Sequence, residues 1–181
     1  MSISGLLAAS LLAFATNPSA RAHLVDLEVG LDGNQVLVGF ELRNGFDDKL
    51  LERIQSGLPS GFLYTLELYR DHKRWFDNRL DRTRLSVVAM YNAVSREYLV
   101  NYKQNGTLVE SRTVREIDEL EQAMTTFDSL PVFVLDDLPA SWRLLVRLRA
   151  DLGSKTVLTF IPARISTETV ESRKFRPPSV P

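Results

Sequence analysis

Gly57-Leu58-Pro59-Ser60-Gly61-Phe62-Leu63-Tyr64-Thr65-Leu66-Glu67-Leu68-Tyr69 carries the chain from a helix into a long strand. Upstream, Leu50, Leu51, Ile54 and Leu58 recur at helical spacing. Gly57 stands where a left-handed residue is needed to stop a helix, a conformation glycine adopts without a side-chain clash. Pro59 forbids resumption of the helix, and Gly61 frees the backbone again. Phe62, Tyr64, Leu66 and Leu68 then alternate with Leu63, Thr65, Glu67 and Tyr69. Both faces carry apolar groups, which predicts a strand in the middle of a sheet.

Toward the N-terminus, Val25, Leu27, Val29 and Leu31 alternate with polar residues, Asp32-Gly33-Asn34 turns, and Val36, Val38, Phe40 and Leu42 resume the alternation. The pattern is that of a β-hairpin with one buried face. Asp47 and Asp48 open the first helix, where the helix dipole favours negative charge. Toward the C-terminus, a charged connection from Arg70 to Arg79 leads to strands through Leu85, Val87, Ala89 and Tyr91 and through Tyr98, Val100 and Tyr102. Asn105-Gly106 is a tight-turn dipeptide that folds Leu108 to Arg112 back as a third strand. Thr113-Val114-Arg115-Glu116 reads as a capping box, opening a second helix with Ile117, Leu120, Met124 and Phe127 on one stripe and its end at Leu130-Pro131. Asp136 and Asp137 fall in a following loop. Trp142, Leu144, Val146, Leu148 and Ala150 alternate with Arg143, Leu145, Arg147, Arg149 and Asp151 as a strand with three arginines on one face. Gly153-Ser154-Lys155 then predicts a turn into a last strand from Val157 to Ile161, stopped or bulged at Pro162.

The 181 residues are 44% hydrophobic, enough for one domain burying roughly 68–70% of its unfolded surface. A net charge of -1 argues against a nucleic-acid partner held by bulk positive charge. With no cysteine, the chain has no disulfide, no thiolate metal ligand and no thiol nucleophile. Residues 1–22 read as a secretory signal peptide: an apolar run from Ile3 to Ala15, then Ala20-Arg21-Ala22 as a small-x-small cleavage site. The apolar run is shorter than the roughly twenty residues of a membrane-spanning helix. After cleavage no transmembrane span is expected, and the location is periplasmic or otherwise exported, with an uncleaved N-terminal anchor as the alternative. The domain is placed at residues 23–171, and 172–181, basic and proline-rich, as a disordered tail.

Few residues suggest chemistry. His23 would be the mature N-terminal residue, and His72 lies among Asp71, Lys73, Arg74 and Asp77, where cations weaken its case as a metal ligand or base. Ser60 lacks the glycine two residues earlier that a nucleophile elbow requires. The pairs Asp47/Asp48 and Asp136/Asp137 fit capping and loop solvation. No catalytic residue, metal site or cofactor is expected. The candidate binding face is Arg143, Arg147 and Arg149, with Arg79, Arg82 and Arg84 as possible additions. Such a face suits anionic headgroups, a glycan phosphate or an acidic partner. A solvated outer sheet face whose cations pair across strands with Glu67, Glu97 or Glu110 explains the same residues more readily.

Gly57-Leu58-Pro59 before Phe62 to Tyr69, Glu97-Tyr98-Leu99-Val100, Leu120-Glu121-Gln122-Ala123 with Leu130-Pro131, and Arg147-Leu148-Arg149-Ala150-Asp151-Leu152 occur in an order that resembles the bacterial DUF4390 family. The resemblance spans Leu24 to about Ile165 and departs at the C-terminus, where a basic proline-rich ending replaces a tryptophan-containing one. It implies an exported protein without established catalytic residues, and a loose association with membrane-bound sensors implies the outer domain of a sensor kinase, or another envelope protein, as partner. The expected architecture is α+β and predominantly antiparallel: a β-sandwich or curved sheet of about seven or eight strands with two packed helices. The expected role is non-enzymatic binding in the bacterial envelope. The alternatives are a hydrolase using His72 and nearby carboxylates, or a carrier of a small apolar ligand.

Overall fold

The computed structural model describes residues 21–72, 78–157 and 161–178. The elements are β1 (His23–Asp32), β2 (Gln35–Arg43), α1 (Asp48–Gln55), β3 (Ser60–Arg70), β4 (Asn78–Asn92) and β5 (Glu97–Gln104). Then come β6 (Thr107–Val114), α2 (Ile117–Thr125), β7 (Thr126–Val134), β8 (Leu144–Val157), β9 (Ile161–Ser166) and β10 (Val170–Glu171). One sheet has the order β1-β2-β7; the larger runs β10-β8-β3-β4-β5-β6, with β9 also paired to β8. Every pairing is antiparallel. The α+β, mostly antiparallel architecture with two helices is therefore as expected. Its described strands number ten, more than the seven or eight expected.

β3 is central because it pairs along its length with β4 on one side and β8 on the other. Phe62, Tyr64, Leu66 and Leu68 are buried in a core shared with Val36, Val38, Phe40 and Leu42 of β2. α1 enters at Asp47, whose carboxylate accepts from the Leu50 amide at 2.9 Å. It leaves through Gly57, at φ +81, with Gly57 N–H donating to Ile54 and Leu58 N–H to Arg53. Those two bonds satisfy carbonyls that the last helical turn leaves open. Leu50 and Ile54 are buried, but Leu58 is 56% exposed: it lies beyond the stop and does not extend the apolar stripe. In β1 an extra residue between Val25 and Glu28, with Asp26 at φ +53, shifts the pleat. Leu24, Leu27 and Val29 thus reach the core, whereas Leu31 is exposed.

The second helix departs from its sequence reading at both ends. Thr113 is held in β6 opposite Leu99, so no capping box forms and Glu116 is the N-cap. The C-terminal boundary is Thr125, and Phe127, Leu130 and Pro131 belong to β7. Pro131 is tolerated there because β7 is an edge strand. The sheet ties this junction down with hydroxyls: Tyr64 donates to Met124 O at 2.8 Å, Tyr102 to Ala123 O at 2.7 Å and Thr83 to Val132 O at 2.8 Å. Phe127 packs among Phe40, Tyr64 and Tyr102 with ring centroids 4.7, 5.4 and 6.4 Å away. Burial raises the Tyr64 phenol well above its ordinary pKa, so it stays a neutral donor. Tyr64→Phe, which strands the buried Met124 carbonyl, is expected to cost about 1–3 kcal/mol in chemical denaturation.

At the other edge, β8 does not turn at Gly153 but runs to Val157, where it pairs with Ile161 at the start of β9. Pro162 lies within β9. Residues 172–178, expected as a disordered tail, are laid against the sheet. Leu144 and Phe175 exchange backbone hydrogen bonds at 2.9 Å, and Ser172 N–H donates to Val146 O at 2.9 Å. The Ser172 Oγ accepts from Val146 N–H at 2.9 Å, and Phe175 packs on the core. Composition misleads here because the segment borrows its order from an open strand edge rather than from a core of its own. Of the expected leader, residues 1–20 lie outside the described residues.

Candidate functional site

The register of three strands places the arginines. Alternation turns Leu63, Thr65, Glu67 and Tyr69 to the outer face of β3, away from the core. Glu67 pairs with Arg82 on β4 and Arg147 on β8; Thr65 pairs with Arg84 and Arg149; Leu63 pairs with Ser86 and Asp151. Residues directly opposite share a face, so these are successive rows across the sheet. An open groove of about 560 Å³ runs over them, floored by Leu63, Thr65 and Glu67 and walled by Arg79, Arg82 and Arg84 on one side and Arg147 and Arg149 on the other.

The two arginine rows differ. At Glu67, Arg82 Nε donates at 2.8 Å and Arg79 at 3.0 Å to Oε1, while the Tyr69 hydroxyl donates to Oε2 at 3.0 Å. Arg147 lies 4.2 Å from the Tyr69 ring centroid and pairs with Glu171 at 2.7 Å. In the Thr65 row, neither Arg84 nor Arg149 forms an ion pair among the described residues, and the Thr65 hydroxyl has no partner there. Five guanidiniums face two carboxylates, Glu67 and Asp151, along the groove.

Partial burial works to raise the Glu67 pKa, but hydrogen bonds from Arg82, Tyr69 and Arg79 outweigh it and hold the carboxyl below its ordinary value. A folded pKa below the unfolded one contributes stability above the unfolded value, and that contribution is lost as pH falls through the folded one. Glu67→Gln is thus expected to cost about 1 kcal/mol at neutral pH. The difference from wild type should vanish well below pH ~4.3, read from urea midpoints across the acid range.

Arg147 and Arg149 are brought together, but Arg143 is not with them. It pairs with Asp71 at 3.4 Å, beside Lys174 at 2.9 Å from the same carboxylate, and does not line the groove. The hydrogen bond from Lys174 chiefly, with Arg143 and His72 adding charge, lowers the Asp71 pKa. Hence the acid beside His72 is already engaged by cations. Asp77, the other carboxylate considered with His72, lies outside the described residues. Glu97 pairs with Arg115 and Glu110 with Arg112, so of the three glutamates suggested as neutralising partners Glu67 alone serves this face. Asp136 accepts from Asn34 Nδ2 at 2.6 Å, a loop tie, and Ser60 donates to Leu58 O at 3.1 Å, a turn bond. No group of three or more potential metal-binding side chains occurs among the described residues. In the sequence Thr65 reads only as a strand residue, not as part of the binding face, and Arg84 only as a possible addition to it. The signal was available in Arg82-Thr83-Arg84-Leu85, whose alternation continues that of Leu85 to Ala89, but strand register is needed to set those side chains beside β8.

The family model described as DUF4390, a domain of unknown function, matches residues 19–158. That is most of the chain. The protein belongs to the DUF4390 family. No curated protein and no solved structure matches it. The DUF4390 match contains every residue lining the arginine groove except Thr169, which lies between β9 and β10, and ends before both strands. Among the described residues of this DUF4390 protein, no helix is long and apolar enough to cross a membrane.

Proposed function

We propose that this chain is a non-enzymatic, exported accessory protein of the bacterial envelope that engages an acidic envelope protein, such as the outer domain of a membrane sensor, through its arginine groove. The observation that carries this reading is the Thr65 row: two guanidiniums without counter-ions among the described residues, beside a row in which the same kind of group is neutralised internally. Unneutralised guanidiniums held on a rigid central sheet suit planar, bidentate recognition of anionic groups. The leader-like N-terminus supports a periplasmic location, with an uncleaved anchor as the alternative. Crosslinking in intact cells followed by purification tests the reading. Wild type should recover a reproducible partner, and Arg84→Glu combined with Arg149→Glu should lose it while remaining folded. Equal recovery by both, or no partner from wild type, overturns it.

A further inference from the structure

We infer that the Arg84–Thr65–Arg149 row is a receptor for a single carboxylate, presented by an Asp or Glu side chain of the partner. This deepens the protein-binding reading above and rests on it. The molecule contains its own template two residues along β3. There Glu67 is held by two guanidiniums, Arg79 and Arg82, and by the Tyr69 hydroxyl. The next row repeats that donor set, with Arg84, Arg149 and the Thr65 hydroxyl, and holds no carboxylate among the described residues. Strands stand about 4.8 Å apart, so Arg84 and Arg149 rise from backbones about 10 Å apart on either side of Thr65. Both long side chains can close on one anion above it. The charge of the ligand follows from its neighbours. Glu67 in the preceding row and Asp151 in the following one line the same groove. Their repulsion doubles for a dianion such as a phosphate monoester, whereas a carboxylate carries one charge and matches the guanidinium fork.

The test is fluorescence anisotropy at low salt with a labelled hexaglutamate peptide. Inorganic phosphate and vesicles of one part phosphatidic acid to three parts phosphatidylcholine serve as competitors. Arg84→Gln with Arg149→Gln is expected to weaken peptide binding about tenfold or more. Thr65→Val, which leaves the charge unchanged, should weaken it several-fold. Arg43→Gln with Arg115→Gln removes the same charge from outside the groove and should change affinity by about twofold or less. Thermal midpoints confirm that each variant is folded. Equal losses in the two double variants would reduce the site to bulk attraction, and displacement by phosphate or by the vesicles at lower concentration than by unlabelled peptide would assign a phosphate ligand; either result overturns the carboxylate assignment. If the peptide fails to bind while cells still yield a crosslinked partner dependent on Arg84 and Arg149, the carboxylate is wrong and the protein-binding reading survives. If neither depends on these residues, both fall.

Discussion

Gly61→Ala should abolish or severely weaken folding, lowering stability by at least about 3 kcal/mol. A Cβ on Gly61 would overlap the Val87 carbonyl oxygen and stand 2.9 Å from Val88 Cα. Both atoms belong to the backbone of β4, paired with β3 from Ser60 to Arg70, so neither can yield without opening the sheet at its centre. Propensity alone predicts the opposite sign, because alanine in place of glycine lowers the entropy of the unfolded chain. Gly30→Ala is the matched control: Gly30 is an exposed position of β1, and the nearest neighbour of an added Cβ would be Leu37 Cβ at 4.0 Å. That variant should lie within about 0.5 kcal/mol of wild type. Urea midpoints of the pair check the claim.

Removing every residue after Ser166 should cost at least about 5 kcal/mol, comparable with the whole stability of many domains. The hydrogen bonds to β8 that disappear include those of the Thr167, Ser172 and Phe175 backbones with Ala150, Val146 and Leu144, those accepted by the Thr167 and Ser172 hydroxyls, and that from Arg147 to Glu171, together with the pairing of β10. Val170 and Phe175 also leave the core. The bared edge of β8 would then present unpaired amides to other copies, a template for aggregation. The truncated protein should therefore elute as aggregate in size-exclusion chromatography, with loss of the cooperative thermal transition. An unstructured tail would give a monomer of unchanged midpoint.

The elements most legible from sequence were those with one strict period and clear punctuation. β3, β5 and β8 announce themselves by alternation, and Asn105-Gly106, at φ 50 and 90, makes the tight turn its composition demands. Where two periods coincide, pattern fails. Leu120, Met124 and Phe127 fit a helical stripe, yet Thr125, Thr126 and Phe127 are β-favouring, and pairing of Thr126 and Phe127 with Glu41 and Phe40 decides the outcome. The C-terminal strap was illegible for a different reason: its order depends on vacant hydrogen-bonding groups of β8, a tertiary quantity. The arginine face lies between these cases. Alternation set Arg147 and Arg149 on one side of β8, but only register adds Thr65 and Arg84 and separates Arg143, whose counter-ion Asp71 lies beyond the end of β3.

The proposal that the outer face of β3, β4 and β8 meets a partner is tested most directly by a photo-activatable residue placed there. Ser86 shares a row with Leu63 and Asp151 next to the Arg84–Thr65–Arg149 row, whereas Leu108, 54% exposed on the edge strand β6, lies away from the groove. On irradiation of intact cells, the probe at position 86 should give a discrete adduct with another protein and the probe at position 108 should give none. An adduct from position 108 alone, or from neither position, would contradict the account.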